Sequence, residues 1–332
     1  MSEFDVLCIG NAIVDIIARA EDDFLHANNI IKGAMNLIDA DRAELLYERM
    51  GPAVETSGGS AGNTAAGIAS LGGRAAYFGK VADDHLGGIY RHDIRAQGVA
   101  FDTPPLTGTP PTARSMIFVT PDGERSMNTY LGACVELGPE DIEEDKVAAS
   151  RITFFEGYLW DPPRAKDAIR KAAEIAHGNG REMSMTLSDP FCVDRYRDEF
   201  LDLMRSGTVD IVFANEDEVK SLYQTADFET AVAAMRNDCR LAVVTRSEKG
   251  SIAMNAHETA SVSAREIDNL VDSTGAGDLY AAGFLYGYAS GRSLENCAHL
   301  GSLAASVVIQ QIGPRPQVSL RQAAIDAGLV KG

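Results

Sequence analysis

The feature that most restricts the fold is an alternation: short apolar runs recur between helical patterns, with Gly, Asp or Pro at each junction. "FDVLCIGN" (4–11), "RAAYFGKV" (74–81), "RITFFEGYL" (151–159), "EMSMTLS" (182–188), "DIVFANE" (210–216) and "LAVVTRS" (241–247) read as strands. Helices are expected over 62–73, 162–177, 193–205 and 216–237. This order predicts an α/β, doubly wound, mostly parallel sheet covered on both faces, with ligands at the carboxyl ends of its strands. One region departs from the alternation: "TARSMIFVT" (112–120) and "RSMNTYL" (125–131) flank the turn "PDGE" and predict a β-hairpin. With pieces near 12–18 and 34–38, it makes either a small β-sheet lid over those strand ends or an ordinary edge hairpin. The lid reading divides the chain into an α/β core, 1–10, 58–103 and 134–332, and a lid built from part of 11–57 and from 104–133.

Composition limits the partners. A chain of 332 residues, 45% hydrophobic, has ample material for a sizeable core. Its net charge of -18 argues against nucleic acid or an anionic membrane, so an anionic ligand must be held by local features. The five cysteines are scattered without a CxxC pair, and "MSEFDVLCIGN" lacks a basic export signal. A cytoplasmic protein with reduced thiols is expected, as monomer or homodimer, with no membrane partner. No fixed-period repeat is present, so function must reside in individual turns.

"VDSTGAGDLYAAGFL" (271–285) is the most telling turn. Leu279, Ala282, Gly283 and Tyr286 repeat at helical spacing, which makes Thr274, Gly275, Ala276 and Gly277 the amino-terminal turn of a helix. Free N–H groups there, at the positive end of the helix dipole, suit phosphate. Neither G-x-G-x-x-G nor the Walker pattern fits. Asp278 would repel a resting phosphate by roughly 1 to 4 kcal/mol at about 4 Å. Its presence makes sense if it accepts the proton of a hydroxyl that attacks the terminal phosphate while the amides stabilise the transferring group. Capping of the helix is the alternative.

These residues resemble the ribokinase-like, or phosphofructokinase B, family of carbohydrate and nucleoside kinases. The two signatures look like "DSTGAGDLYAAGF" at 272–284 and "GGSAGNTAAG" at 58–67, continued by "DDHLG" at 83–87. The resemblance implies phosphorylation of a hydroxymethyl group with ATP and Mg²⁺, Asp278 acting as base and Gly275–Gly277 as anion hole. "GNAIVD" (10–15), "ERSM" (124–127), "TLSDPF" (186–191) and "NEDE" (215–218) look most like the adenosine kinase branch. By that resemblance Asn11, Ile13, Asp15, Gly59, Ser60, Asn63 and Tyr158 meet the nucleoside. Asp15 has two oxygens suited to vicinal ribose hydroxyls, although a turn-forming Asp is also reasonable. Arg125, just after the hairpin turn, is the cation expected to reach phosphate on lid closure, or else an exposed hairpin arginine. Asn215 and Glu218 suit Mg²⁺ through water, or an N-cap with an acidic first turn. Thr245, Ser247, Gly250 and Thr274, with the segment 295–306, fall where the family holds its nucleotide. Ile13, Tyr158, Trp160 and Phe191 are candidates for a purine clamp, with core packing as the alternative.

Three departures bear on the acceptor. Glu156 stands where adenosine kinases have a small neutral residue, so a carboxylate near the base pocket is expected to alter selection. Arg114 and Ser247 replace small or glycine residues of the pattern. The first hypothesis is a kinase acting on the 5'-hydroxyl of adenosine; a sugar kinase, or a kinase of another nucleoside, is the closest rival. A non-catalytic nucleoside sensor would have no use for Asp278.

Overall fold

The computed structural model describes residues 3–331. Eight strands form the large sheet, in spatial order β13 (Thr259–Val262), β12 (Ser251–Asn255), β11 (Leu241–Thr245), β10 (Ile211–Asn215), β9 (Glu182–Thr186), β8 (Ser150–Glu156), β1 (Phe4–Ile9) and β5 (Ala75–Phe78). Pairing is parallel from β5 through β11, while β12 and β13 are antiparallel additions at one edge. The parallel strands are almost wholly buried, as strands with helices on both faces must be. Helices Ser60–Ser70, Ala276–Ala289 and Leu294–Val308 pack against one face; Pro163–Gly178, Pro190–Arg205 and Phe228–Asp238 cover the other. β1 leads outward to β5 on one side while β8 begins the march to β11 on the other. The β1/β8 junction is therefore the switch point, where a crevice opens at the strands' carboxyl ends.

A second sheet runs β3 (Met35–Leu37), β7 (Arg125–Tyr130), β6 (Ala113–Val119), β2 (Ile13–Arg19) and β4 (Ala53–Ser57). The hairpin joins the pieces near 12–18 and 34–38 into one sheet, as the separate-sheet reading expected, and β4 is an addition to it. The segment expected as one helix over 216–237 is two, Glu216–Leu222 and Phe228–Asp238. The break falls at Gln224, with φ of +50°, and Asp227 starts the second helix by accepting from the Thr230 N–H at 2.8 Å.

Helix Ala276–Ala289 is apolar nearly all round because it is enclosed on both flanks. Gly283 lies against the backbone of Leu300, and Gly67 against Leu279 and Ala282. These small residues let helices Leu294–Val308 and Ser60–Ser70 approach closely. Their crossing brings the amino-terminal turns of residues 60 and 276 together.

Candidate active site

Where those turns meet, Asp278 is held by residues more than 200 positions away. Its Oδ1 accepts from Ser60 Oγ at 2.6 Å, its Oδ2 from Asn63 Nδ2 at 2.9 Å, and its carbonyl from Thr64 Oγ1 at 3.1 Å. Enclosure pushes the Asp278 carboxyl upward, and the two side-chain donors and the Arg315 cation oppose this. The helix-capping alternative for Asp278 is thereby less apt, since its oxygens serve another helix.

Gly275 has a φ of +78°, and any side chain there would strike Pro314. It turns the chain so that Gly275, Ala276 and Gly277 line a cleft of about 460 Å³, where the Ala276 N–H donates to the Ser273 carbonyl at 3.2 Å and the first amides of the helix have no intrahelical acceptor. Ser60, Asn215, Glu218, Thr245, Ser247, Gly250, Gly275, Ala276, Gly277 and Asp278 all line this cleft, joined by Ser302, Ala305 and Ser306 from the segment 295–306. Thr274 is not itself a lining residue, although Ser273 and Gly275 on either side of it are; its N–H donates to Asp272 Oδ1 at 3.0 Å. Ser247 keeps a left-handed φ of +49°, which explains why a glycine suits this turn in the family. Arg265 is the sole cation among the lining residues.

Asp15 extends from β2 toward the same corner. It is 8% exposed and packs so closely on Gly58 that a Cβ there would overlap its carboxylate. Gly59, with φ of +83°, fits over the Asn11 carbonyl. Burial pushes the Asp15 carboxyl up to about 7, with Arg315 and Arg125 pulling it down and Asp278 and Asp272 pushing it further up. Asn11 Oδ1 is buried without a partner among the described residues, as an acceptor awaiting a ligand hydroxyl would be. Tyr158 is half-buried; its hydroxyl lies 3.5 Å from the carbonyl of Ser188, which lines the cleft. Ile13 is also half-buried, at the start of β2.

Several expectations change. Glu156 does not face an acceptor: it is 1% exposed, Oε1 accepting from the Asn11 N–H at 2.9 Å and Oε2 from the Ala61 N–H at 2.8 Å. It ties together the ends of β1 and β8 and caps a helix whose own cap, Gly59, has no side chain. Trp160 is fully buried, stacked on Phe155 and donating to Glu199, so it is core rather than purine clamp. Arg114 pairs with Glu44 away from the cleft. Asn215 and Glu218 form a reciprocal capping box, and both Glu218 oxygens accept from Asn215, at 2.9 and 2.7 Å. Burial raises Glu218 to about 7. No three-ligand acidic or His/Cys cluster exists among the described residues, and both Glu218 oxygens are already engaged by Asn215.

Arg125 is not an exposed hairpin residue. Its side chain is 8% exposed and pairs with Asp272, itself 4% exposed, which also accepts from the N–H groups of Thr274 and Gly313. Arg125 Nη1 is buried without a hydrogen-bond partner among the described residues, an orphan donor that fits a phosphate oxygen. Asp272, Gly58 and Arg315 were not singled out from sequence. Asp272 could have been, because it lies inside the 272–284 signature; Arg315 meets Asn63 across 252 positions and left no local signal.

A doubly wound sheet, a smaller second sheet and a glycine-rich helix start bearing a half-buried Asp278 mark an ATP-dependent kinase of ribokinase-like fold. Residues 4–320 match the pfkB family carbohydrate kinase pattern, and the chain belongs to that family. It is 72% identical to a solved adenosine kinase from Sinorhizobium meliloti, with TM-score 0.94 and coverage of 98% of this chain and 100% of that one. It is 68% identical to a solved protein from Rhizobium etli CFN 42 described as a probable sugar kinase, with TM-score 0.95 and coverage of 99% and 100%. An adenosine kinase of Saccharomyces cerevisiae is 25% identical over 93% of this chain and 96% of its own.

Proposed function

We propose that the protein transfers the terminal phosphoryl group of MgATP to the 5'-hydroxyl of adenosine. The observation that carries this reading is the Asp278 carboxylate, fixed by Ser60 and Asn63 at the mouth of a helix terminus, between the cleft and the Asp15 corner. Bound MgATP supplies an electrophilic phosphorus and a leaving ADP. Asp278 takes the hydroxyl proton as the oxygen–phosphorus bond forms, and the Gly275, Ala276 and Gly277 amides stabilise charge on the transferring group. Asn11, Ile13, Asp15, Gly59, Asn63 and Tyr158 hold the nucleoside, with Asp15 accepting from the ribose hydroxyls. Thr245, Ser247, Gly250 and Thr274 line the nucleotide side; Asn215 and Glu218 act on Mg²⁺ through water. The small sheet, 104–133 with part of 11–57, serves as lid and carries Arg125 to the phosphate. The similarity to the Sinorhizobium meliloti adenosine kinase supports the acceptor, and the five unpaired cysteines fit a cytoplasmic setting.

The Rhizobium etli relative favours a second reading, a sugar as acceptor. Incubation with MgATP and a panel of nucleosides and sugars separates the two: AMP formed from adenosine at the highest kcat/KM is expected. Phosphorylated sugar without AMP would transfer the assignment to the second reading. In the same assay Asp278→Asn should lower turnover by roughly 10²- to 10⁴-fold while ATP still binds; near-normal turnover would remove Asp278 from the base role.

A further inference from the structure

The loop after helix Leu294–Val308 carries a buried arginine that is not among the residues lining the cleft. Arg315 is 8% exposed. It donates from Nε to Asn63 Oδ1 at 3.1 Å, from Nη1 to Gln97 Oε1 at 2.9 Å and from Nη2 to the Gly58 carbonyl at 3.1 Å. A guanidinium has donors only, so the Asn63 atom facing it must be the amide oxygen. That choice turns Asn63 Nδ2 toward Asp278 Oδ2, 2.9 Å away. The opposite rotamer would set NH₂ against guanidinium and carbonyl against carboxylate, two repulsive contacts in a site shielded from water. The Gly58 contact holds the turn on which Asp15 rests.

We infer that Arg315 is a positioning residue for phosphoryl transfer, orienting the Asn63 amide toward Asp278 and supplying a fixed positive charge beside it in a site crowded with carboxylates. This rests on Asp278 being the base. Asp278 is faced by Ser60 and Asn63 from one helix and by Arg315 from the loop. Its charge is also felt by Glu156 at the end of β8, Asp15 on β2 and Glu218 in the capping box. Arg315 opposes the upward push of burial at both Asp278 and Asp15. Without that cation Asp278 holds its proton to higher pH.

Single-turnover phosphorylation of adenosine, at saturating adenosine and MgATP, is followed against pH for wild type, R315M, R315Q, R315K and D278N. Saturation keeps Asp15 engaged, so the acid limb follows the transfer step. R315M is expected to lose roughly 10- to 100-fold in rate with its acid limb displaced upward by about one pH unit. R315Q shows the same displacement and carries the comparison should R315M not fold, as judged by circular dichroism and ATP affinity. R315K restores the limb but only part of the rate, because an ammonium lacks the planar fork that spans three acceptors. A full rate in R315M or R315Q, or a lost rate with an unmoved limb in both, overturns the inference and leaves Arg315 a packing residue. Wild-type transfer by D278N overturns the base reading instead, whatever the Arg315 variants do.

Discussion

Asp15, Glu156 and Glu218 are each pushed by burial to about 7, and Asp278 upward in the same way, so the site holds more acid than its cations neutralise. For Asp15 the consequence is a pH-dependent acceptor affinity: in the proposed complex its ionised oxygens receive the ribose hydroxyls, so binding is expected to strengthen as pH rises through 7. Titration with adenosine between pH 6 and 8 should show that rise in wild type and a flat, weaker response in Asp15→Asn. Glu156 makes a stability prediction. Its folded value lies above the ordinary 4.5, so the folded state binds the proton more tightly. Stability is then greatest below 4.5 and declines as pH rises toward 7, by roughly 3 kcal/mol in all. Glu156→Gln removes that decline but sets NH₂ against a backbone N–H, so urea melts should find it more destabilising at pH 5 than at pH 8. An equal penalty at both would mean that Glu156 stays charged throughout. At this scale the meeting of residues 60, 63 and 278 was legible through the family resemblance, whose two signatures imply one shared site. Arg315 was not, because its three partners lie 252, 218 and 257 positions away.

The helix Ala276–Ala289 separates the structural from the chemical use of small residues. Gly275 and Gly277 look alike in sequence, yet a Cβ at 275 meets Pro314 in a left-handed conformation while one at 277 meets nothing within 4 Å. Gly277→Ala is therefore expected to keep or slightly raise the melting temperature, by up to about 1 kcal/mol of stability. Its methyl faces the approach to the amides and should lower kcat/KM for ATP at least about tenfold. Gly275→Ala should instead lose stability together with activity. Normal kcat/KM in Gly277→Ala would show that phosphate does not come to this terminus. The elements themselves were legible where period and punctuation agreed, as in the six parallel strands and the hairpin at 112–131. β4, β12 and β13 escaped because "AVETS", "SIAMN" and "TASV" are short and carry little apolar patterning; their strand state comes from pairing, β4 with β2, β12 with β11 and β13 with β12. The break at Gln224 escaped because no Gly or Pro marks it.

Across the whole molecule, Arg125 and Asp272 tie the small sheet to the loop that precedes helix Ala276–Ala289. The pair is asymmetric. Asp272 would remain bonded to the Thr274 and Gly313 N–H groups if Arg125 were lost, whereas Arg125 would be left a buried, unpartnered cation if Asp272 were lost. Breaking a buried pair from the second side commonly costs about 3 to 5 kcal/mol. Arg125→Met is thus the milder variant, and it should loosen the small sheet without unfolding the core. Hydrogen exchange is expected to quicken in β6 and β7 while β8, β9 and β10 keep their protection. The loosened sheet admits water to the site, so the ratio of ATP hydrolysis to adenosine phosphorylation should rise about tenfold or more even as transfer slows. Transfer slows because the orphan Nη1 donor, which in the proposed closed state meets phosphate, is gone. A variant with slower transfer but unchanged exchange and an unchanged hydrolysis ratio would confine Arg125 to the phosphate and leave closure of the small sheet to other contacts.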